Sequence, residues 1–457
     1  MEGGGRAFRS DGPIPGLDRR RKWNRGRKKK VGGAPPNPRA ERDSPSAAAA
    51  QRIAARETWG PLTFAAARDG AELKYVAWLP RDAMSESPSS LERDAARNLV
   101  TKYLRVRPGE NVIVESWTHT LPMSSAIVDE VRRAGGRAFL AHDDEDTWWR
   151  ALERKQGKLL GRLSDPEWAA LRATDVYVQF WGPADSARVA RTPEKILDEW
   201  AEGWVERWYQ LARSTGLRGG RMALGWVTDS RARHWGVSKA RWTKGILEAC
   251  LADPKEMGST GRRLARVFSG TKKIRITHPN GTDLEIASAG QLPTVYDGFP
   301  HPKDPAYMMS DMLANFPDGR LRIPLDARTG EGRIVATYPS YEDSWFPWAS
   351  YLGGTFEFSD GKLTSHSFED GETAFAQRYA KGRPGKDRPG LLTIGLNPKI
   401  RNVPSLEVLE RGCVELVVGY NNLRGGSKSP NDTGSLCLSA AEISVDGIPV
   451  VRRGKIL

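Results

Sequence analysis

Asn111-Val112-Ile113-Val114-Glu115 is short, apolar and β-branched, and predicts a strand buried on both faces. Residues 121–134 follow with helical spacing and stop at Gly135-Gly136, a pair suited to a left-handed helix end. Arg137-Ala138-Phe139-Leu140-Ala141 predicts a second strand, residues 175–180 a third and residues 222–226 a fourth. Strands that alternate with helices in this way imply a mostly parallel sheet covered on both faces.

Upstream, serines at 85–90 lead into Leu91-Glu92-Arg93-Asp94-Ala95-Ala96-Arg97-Asn98-Leu99-Val100, an amphipathic helix start with capping residues before it. Residues 1–83 are basic, Gly/Pro-rich and Ala-rich by turns, and contain no evident folding unit. They are expected to be a disordered leader, with Met84 as a plausible true start. Downstream, the pattern changes near residue 260. Lys273-Ile274-Arg275-Ile276-Thr277-His278 and Thr282-Asp283-Leu284-Glu285-Ile286 flank Pro279-Asn280-Gly281, a hairpin signal. Further strands are predicted at 332–337, 354–358, 391–394, 414–418 and 441–445. The expected organisation is a leader over 1–83, an α/β domain over 84–258 with a mostly parallel sheet, and a β-rich α+β domain over 259–457.

Composition narrows the function classes. The chain has 457 residues, 39% of them hydrophobic, which is enough for two cores. Nothing in it is long and apolar enough to span a bilayer, and the N-terminus lacks the apolar segment of a secretory signal. Three scattered cysteines make neither a disulfide framework nor a cysteine-rich zinc site, so a reducing cytoplasm is expected. Of the net charge of +14, residues 1–45 supply +8, concentrated in Arg19-Arg20-Arg21-Lys22 and Arg27-Lys28-Lys29-Lys30. Nucleic acid is therefore a possible partner only through this tail, by counterion release.

Sequence signatures of several enzyme classes are missing. No glycine-rich phosphate loop follows the first strand, and there is no Gly-x-Ser-x-Gly elbow. The four carboxylates Asp143-Asp144-Glu145-Asp146 precede a helical stretch, where capping explains them better than cation binding. Trp200, Trp204 and Trp208 share one helix face, expected to be a packing or interface seam. Of six histidines none lies beyond His366, so no histidine-built metal site exists in the last 90 residues.

Several segments in order resemble the aminopeptidase T family of metallo-aminopeptidases, over about Leu91 to Leu457. They are Arg107-Pro108-Gly109-Glu110 before the first strand, Leu247-Glu248-Ala249-Cys250-Leu251-Ala252-Asp253, Gly281-Thr282-Asp283-Leu284, Asn315-Phe316-Pro317-Asp318-Gly319 and Gly395-Leu396-Asn397-Pro398. The resemblance implies an α/β domain, a β-rich domain carrying a metal site, and a homodimer. The same family contains dioxygenases that cleave dihydroxypyridine, so the fold does not fix one reaction.

Carried over by position, the implied metal ligands are not there. Arg320 stands where the family has one Glu and Leu391 where it has a second. Glu415 stands where it has a His, and Ser435-Leu436-Cys437-Leu438-Ser439 has no counterpart of its closing His-x-Asp. Neither an arginine nor a leucine offers a lone pair to a hard cation. The expectation is a chain without metal or other cofactor that keeps the pocket for a peptide-like or aromatic small molecule. Asn315, Arg320, Asn397, Glu415 and Tyr420 are its expected binding residues, and Arg320 is expected to pair with Glu415. Two alternatives stay open: an active metallo-aminopeptidase with relocated ligands such as Asp326, Glu331, Glu415 and Asp432, and an interaction protein working through its basic tail.

Overall fold

The computed structural model describes residues 59–68, 71–80, 87–185, 188–189, 191–205, 211–301, 313–341, 350–382, 384–419 and 434–457. Two compact units are present, Met1–Met84 and Ser85–Leu457. In the first, strands β1 (Trp59–Arg68) and β2 (Ala71–Pro80) form an antiparallel ribbon, so the stretch read as a leader contains one described element.

The second unit opens with the helix Ser90–Asn98. Ser89 caps it, its hydroxyl accepting from Glu92 N while Glu92 accepts from Ser89 N. Strands β3 (Asn111–Trp117), β4 (Arg137–Asp143), β5 (Val176–Phe180) and β6 (Arg218–Met222) pair in parallel. The fourth strand thus falls ahead of the predicted 222–226, where the chain forms a 3-10 turn instead. Gly219 explains the miss: a Cβ there would come within 2.1 Å of Leu313, so the position that packs tightest has no side chain to reveal it.

A fifth strand completes this sheet from far along the chain. Residues 273–287 form the expected hairpin, β7 (Lys273–His278) and β8 (Thr282–Ala287), turning at Gly281 with φ +93°. After β9 (Thr294–Tyr296), strand β10 (Ala314–Phe316) returns to lie parallel to β6. The sheet order is β10-β6-β5-β3-β4. Strand order therefore reverses between β3 and β5, the switch point at which open α/β sheets place a crevice.

The rest is antiparallel. Strands β11 (Arg320–Pro324), β12 (Glu331–Val335), β13 (Ser340–Tyr341), β14 (Ser350–Tyr351), β15 (Thr355–Ser359) and β16 (Lys362–Ser367) are followed by β17 (Pro389–Gly395) and β18 (Val414–Val418). Strands β19 (Gly434–Leu438), β20 (Glu442–Val445), β21 (Ile448–Arg452) and β22 (Lys455–Ile456) close the chain. They build a five-stranded sheet, β19-β18-β17-β11-β9, an eight-stranded sheet, β16-β15-β12-β8-β7-β20-β21-β22, and the small pair β13-β14.

One face of the five-stranded sheet is pure core. Leu321, Ile323, Leu392, Ile394, Val414, Leu416, Val418, Leu436 and Leu438 alternate along it and are wholly buried. The helix Pro254–Val267 lies against it at Val295, where Gly261 permits the approach: a Cβ would meet Val295 at 2.5 Å. Period-2 alternation forces the intervening residues to the opposite face, where Pro324, Leu391 and Val417 stand beside the polar ones.

Candidate functional site

The polar face of the five-stranded sheet is ordered in rows by the strand register. Thr294, Arg322, Thr393, Glu415 and Cys437 stand opposite one another across β9, β11, β17, β18 and β19. One step along, Tyr296 stands opposite Arg320, and Arg320 opposite Gly395. Two cations stand near the Tyr296 ring, with the guanidinium carbon of Arg320 4.8 Å and that of Arg322 5.2 Å from its centroid. Nε of Arg320 lies 3.4 Å from Oδ1 of Asp318. Thr393 is buried, and its hydroxyl has no hydrogen-bond partner among the described residues.

The same face joins two cysteines that are far apart in sequence. Cys413 and Cys437 are free, buried, and 3.0 Å apart at sulfur. Contact with Cys413, then burial, pushes the Cys437 thiol up, so Cys437 rests as a thiol rather than a nucleophilic thiolate.

The residues expected to bind are not all brought together. Arg320 and Glu415 share the polar face, but the register aligns Glu415 with Arg322, through Thr393, and not with Arg320. Asn315 lies on β10 in the parallel sheet, opposite Arg221. Asn397 is fully buried and its side chain is consumed by the chain itself: Nδ2 donates to the carbonyls of Asp318 at 2.9 Å and Ala249 at 3.2 Å, and Oδ1 accepts from Lys399 N. Tyr420 and Asp432 lie outside the described residues. Leu391 is wholly buried.

A guanidinium and an aliphatic side chain occupy the positions the resemblance assigns to carboxylates. Among the described residues no group of three or more His, Cys, Asp or Glu side chains converges as a metal site. Of the alternative set, Asp432 lies outside the described residues, and the other three are placed as follows. Asp326 is held by Arg328 at 2.9 and 3.0 Å, Glu331 accepts from Ser359 and Asp360, and Glu415 belongs to a different sheet from Glu331.

The parallel sheet holds the other polar features. Asp144 caps the helix Glu145–Glu153, accepting from Thr147 N at 2.7 Å, in keeping with capping as the reason for the acidic run. His119 Nε2 donates to the Gly225 carbonyl at 3.0 Å, and burial lowers its pKa, so it rests neutral. Trp200 is buried against Trp148 with centroids 5.5 Å apart. The side chains of Trp204 and Trp208 lie outside what is described.

No family model and no curated protein matches this chain. Among solved structures it is similar to wild-type AmpT from Thermus thermophilus, at 15% identity and a TM-score of 0.56, over 80% of this chain and 99% of that one. It is similar also to 2,5-dihydroxypyridine dioxygenase from Pseudomonas putida KT2440, at 12% identity and a TM-score of 0.50, over 81% of this chain and 98% of that one. At such identities the likeness is one of fold, and it gives this chain a distant aminopeptidase-like architecture, an α/β sheet followed by antiparallel sheets.

Proposed function

We propose that this chain uses an aminopeptidase-like fold, without the metal chemistry, to bind a small peptide-like or aromatic molecule that carries a carboxylate. The observation that supports this most is the pairing of Arg320 and Arg322 over the single ring of Tyr296. Guanidinium groups hold carboxylates in a fixed two-pronged geometry, and the buried ring helps to fix where the two stand. Thr393, next to Arg322 in the same row, is buried, and its hydroxyl has no partner among the described residues. Glu415 at the far side of Thr393 suits the amino end of a peptide-like ligand. The protein is further inferred to be a homodimer. No described helix is long and apolar enough to cross a membrane.

The test pairs elemental analysis of the purified protein with calorimetric titration of dipeptides and their carboxamides, alongside a screen of aminoacyl substrates. The expected result is binding that needs the free carboxylate and disappears in Arg322→Gln, with no stoichiometric metal and no turnover. Stoichiometric transition metal together with hydrolysis of any aminoacyl substrate would overturn the proposal, as would equal binding of acid and amide.

A further inference from the structure

Three cysteines stand far apart in the sequence, and the fold brings two of them together. Cys413 leads into β18 and Cys437 lies on β19, 24 residues on, with their sulfurs 3.0 Å apart. The strand register explains the meeting. Val414 stands opposite Leu438 and Glu415 opposite Cys437, so Cys413 is the diagonal neighbour of Cys437 on the same face. The hydrogen bonds order the two protons. The Cys413 thiol donates to the Leu438 carbonyl at 3.1 Å, which leaves its sulfur to accept from the Cys437 thiol. Cys250, at the end of the helix Lys239–Ala249, is buried and free as well.

Two thiols held in contact are the reduced half of a disulfide couple. A covalent bond needs the sulfurs only about 1 Å closer. Folding has already met the entropy cost of bringing the two positions together. Cys413 is anchored on both sides, its N–H donating to Glu410 O at 2.8 Å and its carbonyl accepting from Gly395 N at 2.9 Å. Cys437 lies on the terminal strand of its sheet, where its carbonyl accepts from Thr337 N at 3.0 Å and Tyr338 N at 3.3 Å. A terminal strand opens locally at less cost than a central one. Opening β19 separates Cys437 from Cys413 and from its burial, the two foremost causes that push its thiol up. The thiol is thus shielded while the strand is seated and becomes a competent nucleophile when it opens.

We propose that Cys413 and Cys437 form a reversible disulfide, made in response to peroxide, that pins the edge strand β19 to β18. The Cys437 thiolate attacks one oxygen of hydrogen peroxide and breaks the O–O bond. A sulfenic acid forms, and the departing hydroxide takes up the thiol's proton as water. As β19 reseats, the Cys413 sulfur attacks the Cys437 sulfur and the S–O bond breaks. The hydroxyl leaves with the Cys413 proton as a second water. Two electrons have then passed from the sulfurs to the peroxide, and a dithiol reductant returns them by exchange. The link ties β18, which carries Glu415, to the strand that faces Glu415 with Cys437. It stands whether or not the arginine face binds a carboxylate.

The test treats the reduced full chain with hydrogen peroxide under native conditions, quenches it in acid and counts free thiols after denaturation. The count is expected to fall from three to one, with the mass of two hydrogens lost. Trypsin should then release one cross-linked pair, joining the peptide that follows Arg411 to the peptide that follows Lys428. The oxidised chain is expected to melt about 5 °C or more above the reduced one. Amide exchange in β19 should slow by about tenfold, and dithiothreitol should reverse both changes. Cys250→Ala is expected to keep them and Cys413→Ala to abolish them. Should Cys413→Ala fail to fold, the peptide maps of the parent and of Cys250→Ala decide. The proposal fails if three thiols remain, if the link includes Cys250 or joins two chains, or if Cys437 passes to sulfinic acid with no link. It fails equally if the link forms and neither the melting temperature nor the exchange in β19 moves.

Discussion

Nε of Arg320 stands 3.4 Å from Oδ1 of Asp318, with the two side chains only 12% and 3% exposed. Asp318 also accepts from Gly319 N at 2.8 Å, which ties its carboxylate to the loop that launches β11. A buried carboxylate beside a buried guanidinium is stable only while both are present. Arg320→Glu therefore places two carboxylates together and is expected to destabilise the fold by about 3–5 kcal/mol in urea titrations at neutral pH. The loss should shrink as pH falls and the pair takes up a proton, and millimolar Mn²⁺ should recover part of it in the variant alone. A variant as stable as the parent at neutral pH would show that Asp318 does not need the cation.

A second buried carboxylate predicts a pH dependence of the opposite sign from ordinary ion pairs. Burial, with Glu410 adding to it, pushes Glu407 up from 4.5 to about 8. Between those two values the folded chain holds a proton that the unfolded chain has released. Stability from this group is therefore greatest at low pH and declines as pH rises through that window, by linkage at most about 1.4 kcal/mol for each pH step of one. Glu407→Gln removes the decline. Denaturant melts should find the variant more stable than the parent at pH 9 and no more stable at pH 5; parallel curves across that range would sink the idea.

Much of the architecture is legible in local sequence, for stated reasons. Val112-Ile113-Val114 and Val176-Tyr177-Val178 are buried on both faces, so nearly every residue carries the signal. The hairpin around Gly281 is equally plain, because the turn needs a positive φ. Arg218-Gly219-Gly220-Arg221-Met222 defeats the same reading, since Leu313 fills the space a side chain would have announced. The pairing of β10 with β6 joins segments far apart in the chain, which no local periodicity encodes. The site shows the same division. Arg320 and Glu415 can be picked out as misfits in a metal-site pattern, whereas Arg322, Tyr296 and Thr393 become neighbours only through register. Asn397 sits in a recognisable loop motif, yet its amide is spent on the carbonyls of Asp318 and Ala249. Cys413 and Cys437 likewise meet only through the pairing of β18 with β19.

The unit Ser85–Leu457 has its own internal contacts and begins at a satisfied capping box on Ser89 and Glu92. A chain started at Met84 is accordingly expected to melt within about 5 °C of the full protein by calorimetry. A larger drop would assign residues 1–83 a structural role. Within that shortened chain Ser89→Ala should lower stability by about 1 kcal/mol, the usual effect of losing an N-cap.

Strand β4 is the terminal strand of the parallel sheet, and it carries Phe139 at 58% exposure and Leu140 at 37%. Consecutive residues of a strand point to opposite faces, so apolar surface is exposed on both sides of this edge. Soluble chains normally blunt such an edge with charge, because its free N–H and C=O groups invite another strand. Trp200, part of the stripe read from the sequence as a packing or interface seam, is buried within the chain against Trp148. If the protein is a homodimer, β4 is thus the better seam, with two copies pairing antiparallel about a two-fold axis. Replacing both residues, as Phe139→Lys with Leu140→Lys, should leave the fold intact and convert a dimer to a monomer in light scattering at micromolar concentration. The charge would then repel across the axis as well as remove apolar area. A parent chain that is monomeric under the same conditions removes the dimer, and a double variant that remains dimeric moves the interface away from β4.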